Sequence, residues 1–303
     1  MRIHAIQTGT VAIHERQRAG RGRGPVRLAM TVADRRFTEP LPILAWLIEH
    51  PDGLVLVDTG ETARALEPGY LPAWNIYYRL AVREQVTADQ EIGPQIEALG
   101  FSTADVRHVV LTHMHTDHAG GLHHFTDNEI LVTRTELEFA SGLRGRARGY
   151  VANKHWPEWF SPRTVELEPD PLGPFPRSLR LTSAGDVTLV PLPGHTPGQI
   201  GVLVDEGNQA VLMAGDSSYT QELMLRGKAD GVGADEEAER LTHERIREFA
   251  AATPTVYLVA HDPETGTRLA ERQPVPATQP SRASSAAAGT APSRSSSQVP
   301  SAS

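Results

Sequence analysis

Residues 111–121 read Leu-Thr-His-Met-His-Thr-Asp-His-Ala-Gly-Gly and form the most informative segment of this 303-residue chain. Four of its side chains can bind a metal ion: His113, His115, Asp117 and His118. The segment ends an apolar run over residues 106–111 that is typical of a buried strand. A histidine-rich turn without metal would crowd ionisable side chains without neutralising them, which is costly. The pattern therefore predicts a metal site at the end of a strand.

Three later residues can complete this site, and each follows an apolar run directly: His195 after 187–192, Asp216 after 209–213 and His261 after 255–259. Ligands at the carboxyl ends of strands converge on one edge of a sheet. Sorted by reach, one metal is predicted to be held by His113, His115 and His195. The other is predicted to be held by Asp117, His118 and His261, with Asp216 bridging the two. Histidine and carboxylate ligands favour two divalent ions, zinc first, with iron, cobalt or manganese as alternatives.

A family resemblance rests on these motifs together. The pattern Thr-His-x-His-x-Asp-His-x-Gly-Gly is followed by Gly-His-Thr-Pro-Gly, by Gly-Asp and by a final histidine after a strand. This order resembles the metallo-β-lactamase-fold hydrolases over roughly residues 2–271. The resemblance implies an α/β protein, an αββα sandwich with a dinuclear metal site at one edge.

A narrower resemblance concerns Tyr219, which stands three residues after Asp216, as in the N-acyl-homoserine lactonases. Residues 84–85, 134–136 and 218–220 are also similar to that subgroup. The resemblance implies hydrolysis of the lactone ring of N-acyl homoserine lactones (quorum quenching) by a hydroxide shared between the metals. Tyr219 is then expected to donate a hydrogen bond to the carbonyl oxygen. Asp117 is expected to carry a proton to the leaving oxygen, and no organic cofactor is needed.

Other members of the same fold are weighed against this interpretation. A glyoxalase II-like thioesterase shares the ligand order, but its helical glutathione-binding domain is not expected in the low-complexity residues after His261. Another ester or lactone hydrolase of the fold remains the alternative. Class B β-lactamases lack a bridging aspartate and are exported, which disfavours them. A non-catalytic metal-stabilised module is disfavoured because no ligand is missing.

The amino-acid composition disfavours some classes of binding partner. The net charge is −8 with 29 basic and 37 acidic residues, and an acidic chain disfavours nucleic acid as a partner. The chain has no cysteine, no apolar signal segment at its start and no run of about 20 apolar residues. We therefore expect a soluble cytoplasmic protein without membrane contact that binds a small amphipathic lactone. A homodimer is expected only by analogy with related lactonases.

Two units are predicted along the chain. Residues 1–272 are expected to form one hydrolase domain, and residues 273–303, rich in Ser, Ala and Pro, a disordered tail. An Arg/Gly-rich stretch at residues 16–27 and the arginines at 144–148 are interpreted as solvated loops, or alternatively as an anion-attracting rim or a weak RNA-binding segment. Two aromatic segments, at 70–78 and 150–160, are expected to pack in the core, to wall a cleft for an acyl chain or to form a dimer contact.

Regular elements are predicted from periodicity and from turn signals. A hairpin is expected over residues 43–49 and 54–58, and helices over 89–99, 135–141 and 234–252. The last helix is expected to bury one apolar face, made by Leu241, Ile246, Phe249 and Ala250. His243 on that helix is expected at the surface. Asp58 is expected to orient a metal-binding histidine rather than to bind metal itself.

Overall fold

Two β-sheets stack face to face in this computed structural model, which describes residues 1–70, 75–143, 145 and 156–276. The first sheet has seven strands in the order β4-β1-β2-β3-β5-β6-β7 and the second has five in the order β12-β11-β10-β9-β8. The strands of the first sheet are β1 Arg2–Ile13, β2 Leu41–Glu49, β3 Leu54–Val57, β4 Val82–Gln85, β5 Val106–Val110, β6 Glu129–Thr133 and β7 Arg163–Val165. Those of the second are β8 Leu179–Arg180, β9 Val187–Pro191, β10 Ile200–Asp205, β11 Ala210–Met213 and β12 Thr255–Leu258.

Helices cover the outer faces. They are α1 Glu15–Arg18, α2 Gly24–Val32, α3 Ile76–Ala81, α4 Ile92–Ala98, α5 Thr116–Ala119, α6 Arg134–Ser141, α7 Gln221–Leu225, α8 Glu236–Ala252 and α9 Thr265–Glu271. Short 3-10 turns lie at Ala63–Leu66, Ala88–Gln90, Thr103–Asp105 and Gly120–His124. With helices outside both sheets, the layers are those of the predicted αββα sandwich.

Side-chain alternation explains why the strands are apolar on both faces. In β2, Trp46 and Ile48 pack between the sheets, whereas Ala45 and Leu47 face the helical layer that contains α4. In β11, Met213 likewise lies between the sheets and its neighbour Leu212 packs towards α8. Because a strand of such a sandwich is buried on both faces, it reads as a continuous apolar run rather than an alternating one.

The strands that precede the predicted ligands end at one edge of the sandwich. β3 is parallel to β5, and β11 is parallel to β12, so their carboxyl ends point the same way. The two sheets are joined at this edge by backbone hydrogen bonds, from Ile200 N–H to the Thr112 carbonyl (3.0 Å) and from Leu44 N–H to the Ala260 carbonyl (3.2 Å). This edge therefore carries the turns on which the histidines lie.

The predicted elements are present, with shifted ends. The hairpin is β2–β3, and the helix predicted at 135–141 is α6. The helix predicted at 89–99 is divided into the 3-10 turn Ala88–Gln90 and α4, because Glu91 between them has an extended backbone with φ −61° and ψ 157°. The long helix is α8, which begins after Asp235, whose side chain accepts hydrogen bonds from the N–H groups of Glu237 and Ala238.

Two expectations about α8 are wrong. Leu241 is 44% exposed, because the buried face follows Thr242, Ile246 and Phe249 instead. His243 is completely buried rather than at the surface, and its Nε2 lies 2.5 Å from the Ser217 carbonyl oxygen. That carbonyl satisfies one ring nitrogen, whereas Nδ1 is buried without a hydrogen-bond partner among the described residues.

The aromatic segments have different roles. Tyr77 and Tyr78 line a cavity next to the histidines, as the cleft interpretation predicts. Trp156 and Phe160 pack against the apolar cluster of the first sheet, with ring centroids 5.1 Å apart, as the core interpretation predicts. Leu71, Trp74, Tyr150, His155 and the arginines at 144–148 lie outside the described residues.

Of two predictions made for segments near the ends of the chain, one is wrong at Arg27 and the other stays a prediction. Arg27, in the Arg/Gly-rich stretch, is not part of a solvated loop: it is 7% exposed, and its guanidinium donates to the carbonyl oxygens of Asp230 (2.5 Å) and Gly233 (3.0 Å). At the other end, Val275 packs in the core and donates its N–H to the Thr255 carbonyl. Residues 277–303 lie outside the described ranges, so the disordered tail and the domain boundary remain predictions.

No helix in the described ranges is long and apolar enough to cross a membrane.

Candidate metal centre

The histidine-rich segment turns sharply after β5. His113 and His115 lie on the turn, and Asp117 and His118 lie in α5, whose first residue directly follows His115. The Nε2 of His113 and the Nδ1 of His115 are 3.0 Å apart. His113 and His118 are fully buried, so both rings point inward from the turn.

The three later residues come to the same place. His195 follows β9, and its Nε2 lies 3.0 Å from the Nδ1 of His115. His261 follows β12, and its Nε2 lies 3.3 Å from Asp117 Oδ2. Asp216 follows β11 and lies between the two sets, with carboxylate oxygens 3.2 Å from His118 Nε2 and 3.3 Å from His261 Nε2. All seven predicted residues are thus brought together at one edge.

Three overlapping groups of ligand atoms lie close enough to hold metal: His113, His115 and His195; His113, His118 and Asp216; and Asp117, His118 and His261. Within each group the ligand atoms lie within 4.8 Å of one another. Two buried atoms at the centre, His118 Nε2 and Asp216 Oδ1, lie 3.2 Å apart but form no well-aligned hydrogen bond with each other or with any other described residue. Buried polar atoms without partners are costly, and a cation between them would satisfy both. The donor set of imidazoles and carboxylates therefore fits divalent metals of the zinc type.

Most of the histidines have a contact at Nδ1, which in these rings is the nitrogen that faces away from the other ligand atoms. His118 Nδ1 lies 2.8 Å from Asp58, as predicted, and His195 Nδ1 lies 2.6 Å from Asp230. His261 Nδ1 donates to the Pro42 carbonyl oxygen at 2.8 Å. Such contacts fix which ring nitrogen faces a metal and the angle of the ring. Asp58 reaches its position from a left-handed backbone, with φ 61°.

Glu136 ties two of the histidine-bearing turns together. It is fully buried at the start of α6, where its Oε1 accepts the N–H of Met114 at 3.0 Å. Its Oε2 accepts the hydroxyl of Thr196 at 2.6 Å and the N–H of Gly198 at 3.2 Å. One carboxylate therefore sets the spacing between the turn after β5 and the turn after β9.

The pKa values divide the histidines into two kinds. Burial lowers the pKa of His113 well below its usual value, and burial with the neighbouring His195 lowers that of His115 to about 3. Burial opposes a rise for His261, but Asp216 and Asp117 outweigh it and raise the pKa to about 10. His113 and His115 are neutral at neutral pH, as metal binding requires. His261 in the metal-free chain instead shares a proton with the carboxylates.

A cavity of about 420 Å³ opens onto these residues. His115, His195, Asp117, Asp216 and His261 form its inner end. The outer walls are mainly apolar and include Val11, Ile13, Leu28, Val32 and Val82, together with the aromatic rings of Tyr77 and Tyr78. The arrangement places a polar, metal-competent end next to an apolar channel, which suits an amphipathic ligand.

Tyr219 lies where this cavity meets the metal-competent end. It is 4% exposed, and its ring stacks on that of His261 with centroids 5.5 Å apart. Its hydroxyl oxygen accepts a hydrogen bond from Gln17 Nε2 (3.0 Å), and Gln17 Oε1 in turn accepts one from the Tyr77 hydroxyl (2.7 Å). Since the Tyr219 oxygen is already an acceptor, its own hydrogen can point into the cavity. Burial raises the pKa of Tyr219 well above its usual value, so this hydroxyl remains protonated.

Sequence reasoning missed Gln17 and Asp230, and it missed the bridging role of Glu136. Gln17 contacts Tyr219 across 202 positions of the chain, and Asp230 contacts His195 across 35. No spacing rule connects residues so far apart. Glu136 was singled out only as part of a motif after a strand, and its two bridging contacts had no signal in the sequence.

Comparisons with known proteins agree with this geometry. Residues 38–261 match the model of the metallo-beta-lactamase superfamily. A probable metallo-hydrolase of Mycobacterium bovis is 41% identical over 192 residues, which are 61% of this chain and 58% of the relative's length. The N-acyl homoserine lactonase AttM of Rhizobium radiobacter is 28% identical over 236 residues, which span 74% of this chain and 83% of that protein.

Among solved structures, an N-acyl homoserine lactone hydrolase with the product N-hexanoyl-L-homoserine at its catalytic metal centre superposes with a TM-score of 0.69. The superposition covers 88% of this chain and 94% of that one at 22% identity, a level at which the likeness concerns the fold. The predicted fold class and the resemblance to lactonases are confirmed by these matches. Since the family model covers well over half of the residues, the chain belongs to the metallo-beta-lactamase superfamily.

Proposed function

We propose that the protein is a metal-dependent hydrolase that opens the lactone ring of N-acyl homoserine lactones. The observation that carries this proposal is the cavity, which joins a cluster of seven metal-competent side chains to an apolar channel with Tyr219 at the junction. A lactone with an acyl chain has the same two parts, a polar ring to be hydrolysed and an apolar tail.

Two divalent ions, zinc before iron, cobalt or manganese, would be held by the residues predicted from the sequence. His113, His115 and His195 form one set, Asp117, His118 and His261 the other, and Asp216 lies between them. When bound, such ions supply a nucleophile from water at neutral pH and withdraw charge from a carbonyl oxygen.

Tyr219 would stabilise the carbonyl oxygen of the lactone as that oxygen gains negative charge. Its hydroxyl is neutral and is oriented by Gln17, so it needs little rearrangement to donate a hydrogen bond. Preorganised donors of this kind stabilise a transition state more than the bound substrate.

Asp117 would handle the proton. Burial opposes the shift, but in the metal-free chain His118 and His261 lower the pKa of Asp117 to about 2, so its carboxylate is charged. Water adds to the carbonyl carbon, the ring C–O bond breaks, and Asp117 passes the proton from that water to the departing ring oxygen. The product is the ring-opened N-acyl homoserine, a hydroxy acid.

The apolar channel would hold the acyl chain. Leu28 and Val32 of α2 are 49% and 53% exposed and face the cavity, so an acyl chain would cover surface that water now contacts. Each buried methylene is worth about 0.8 kcal/mol. We therefore expect a lower KM for a decanoyl lactone than for a hexanoyl one. The homodimer and the cytoplasmic location remain predictions.

The experiment compares zinc-loaded wild-type protein and Tyr219→Phe on hexanoyl and decanoyl homoserine lactones, with an acyl thioester assayed alongside. We expect lactone turnover to exceed thioester turnover, and Tyr219→Phe to lower kcat about tenfold or more, by the loss of one preorganised donor. Metal content should not change. Thioester hydrolysis with inert lactones would refute the lactonase proposal in favour of a glyoxalase II-like reaction, and an unchanged kcat would remove Tyr219 from the mechanism.

A further inference from the structure

A second cluster of metal-competent side chains lies outside the cavity. Glu91, directly before α4, lies with its Oε2 3.0 Å from His123 Nε2 and 2.7 Å from His124 Nε2. The two rings lie 4.0 Å apart between centroids and are tilted by 37°. The three ligand atoms lie within 4.8 Å of one another, as in the three groups of the candidate metal centre. We propose that Glu91, His123 and His124 form an additional binding site for a divalent transition-metal ion such as zinc.

The carboxylate is oriented as a ligand. Glu91 Oε1 accepts the hydroxyl of Thr62 at 3.0 Å and the N–H of Ala63 at 2.9 Å, so Oε2 is the oxygen that faces the rings. The side chain is only 8% exposed. Burial opposes the shift, but the Ala63 amide, His124 and Thr62 outweigh it and lower the pKa of Glu91, which is therefore charged at neutral pH.

The tautomer of His123 makes a cation at this point favourable. Its Nδ1 lies 3.3 Å from the Gly120 carbonyl oxygen and must carry a hydrogen to donate there. With the ring hydrogen on Nδ1, the Nε2 atom of a neutral ring carries a lone pair. That lone pair faces the charged oxygen of Glu91. A positive ion between His123 Nε2 and Glu91 Oε2 would bind both atoms, and the Nδ1–carbonyl contact is the usual support for a metal-binding histidine.

The backbone leaves room for the second ring. Gly93 lies within α4, where glycine costs helix stability relative to alanine. A Cβ atom at this position would lie 2.5 Å from His124 Nδ1 and 2.9 Å from its Cε1, so only glycine lets the ring lie against the helix. The glycine therefore serves the position of His124 rather than the helix.

The donor set indicates the class of ion. Two imidazoles and one carboxylate suit zinc and similar transition metals, whereas calcium and magnesium prefer oxygen ligands. The side chains of His123 and His124 are 33% and 22% exposed, so water can complete the coordination. A bound ion would fasten the turn Gly120–His124, which follows α5 with its ligands Asp117 and His118, to the start of α4.

The test is a calorimetric titration of metal-stripped protein with zinc chloride, repeated with Glu91→Gln and His124→Gln. We expect each variant to bind one equivalent fewer than wild type. The comparison is a difference, so it holds whatever number of ions the cavity binds and whatever reaction occurs there. His4→Gln is the matched control: His4 also contacts a glutamate, Glu49, at 2.5 Å, and its loss should leave the zinc equivalents unchanged.

A second measurement does not depend on variants. Crystals of the wild-type chain grown with zinc should give an anomalous-scattering peak at the zinc edge between Glu91 and the two rings. Equal zinc equivalents in wild type and in both folded variants, or no such peak, would overturn the proposal. The cluster would then be held together by protons alone.

Discussion

Two histidine clusters are neighbours along the chain, since His123 follows His118 by five residues, and they differ in how their rings are supported. In the cavity, His118, His195 and His261 each have a partner behind the ring, and His113 and His118 are fully buried. In the cluster of Glu91, His123 and His124 the two rings are 33% and 22% exposed, and within the described part of the chain only His123 has a hydrogen-bond contact at the ring nitrogen that faces away from Glu91. Both bring ligand nitrogens to about 3 Å from another ligand atom.

The difference indicates two strengths of metal binding. Outer partners hold a ligand in its binding orientation before the metal arrives, so less ordering remains to be done on binding. The cavity cluster, made by the seven residues of the candidate metal centre, should therefore retain metal through purification. The outer cluster, made by Glu91, His123 and His124, should bind metal more weakly and exchange its ion with the solution.

The largest expected effect comes from Asp216→Asn, which removes the charge between the two sets of ligands. The metal content of the cavity should fall. Lactone turnover should drop by more than the roughly 100-fold loss that follows mutation of a residue supporting a metal-binding histidine. Plasma emission spectrometry and a lactone assay measure the two quantities. A fully metal-loaded, active variant would contradict the bridging assignment of Asp216, while the outer cluster should still take up its own equivalent.

A smaller effect is expected from Asp230→Asn, since it acts through His195 and does not touch the metal itself. Zinc affinity should fall about 10- to 100-fold. The matched control is Asp186→Asn, which breaks a similar carboxylate contact to the buried His50 (3.1 Å) far along the sheet from the cavity. If both variants lost zinc equally, Asp230 would have no specific role in holding His195 for metal binding.

Gly93→Ala tests the outer cluster without changing any ligand. The added methyl group displaces the His124 ring, so zinc binding there should weaken about tenfold or more, by analogy with other losses of ligand orientation. Lactone turnover should stay within twofold. Since alanine also favours the helix, an unaltered zinc affinity together with higher stability would show that the ring moves at no cost and would remove Gly93 from the site.

The smallest effect compares two glutamates in the metal-free chain. Burial, with Asp230 acting in the same direction, raises the pKa of Glu239, so its contribution to stability is present below its unfolded value and lost as pH rises through the folded one. The pKa of Glu91 is lowered despite its burial, so its contribution is present above its unfolded value and lost as pH falls. Relative to wild type, Glu239→Gln should gain stability from pH 5 to 8. Glu91→Gln should lose stability at pH 7, and the loss should shrink as the pH falls below the ordinary glutamate pKa of about 4.3.

Urea unfolding at several pH values with a chelator present measures both trends. A tenfold change in an acid dissociation constant corresponds to about 1.4 kcal/mol. Parallel pH dependence of the two variants would contradict the assigned environments of Glu91 and Glu239.

The sequence was informative where function is local. His113, His115, Asp117 and His118 follow one strand, and strand ends in such a sheet share an edge, so their convergence could be predicted. His195, Asp216 and His261 could be added because each also follows an apolar run. Even Asp58, the residue behind His118, was predictable, because it too stands at a strand end.

The rest depended on packing between distant segments. His243 could not be placed from periodicity, since its burial requires the Ser217 carbonyl to satisfy its ring. Gln17 and Asp230 act through contacts that no local pattern records. The helical face of α8 was misplaced at Leu241 because a single-residue offset turns a helix by about 100°, enough to move a side chain from core to solvent.

Arg27 connects the wall of the cavity to the loop behind His195. It lies on α2 beside Leu28, and its guanidinium is bound to the carbonyl oxygens of Asp230 and Gly233. A ligand that presses against α2 therefore contacts the helix whose Arg27 holds the loop of Asp230, and Asp230 in turn holds His195. Coupling between two binding sites is reciprocal. If a bound acyl chain changes the affinity for metal by some factor, bound metal changes the affinity for the acyl chain by the same factor. A preference for acyl-chain length that is measured on metal-poor protein would therefore differ from the preference of the metal-loaded protein.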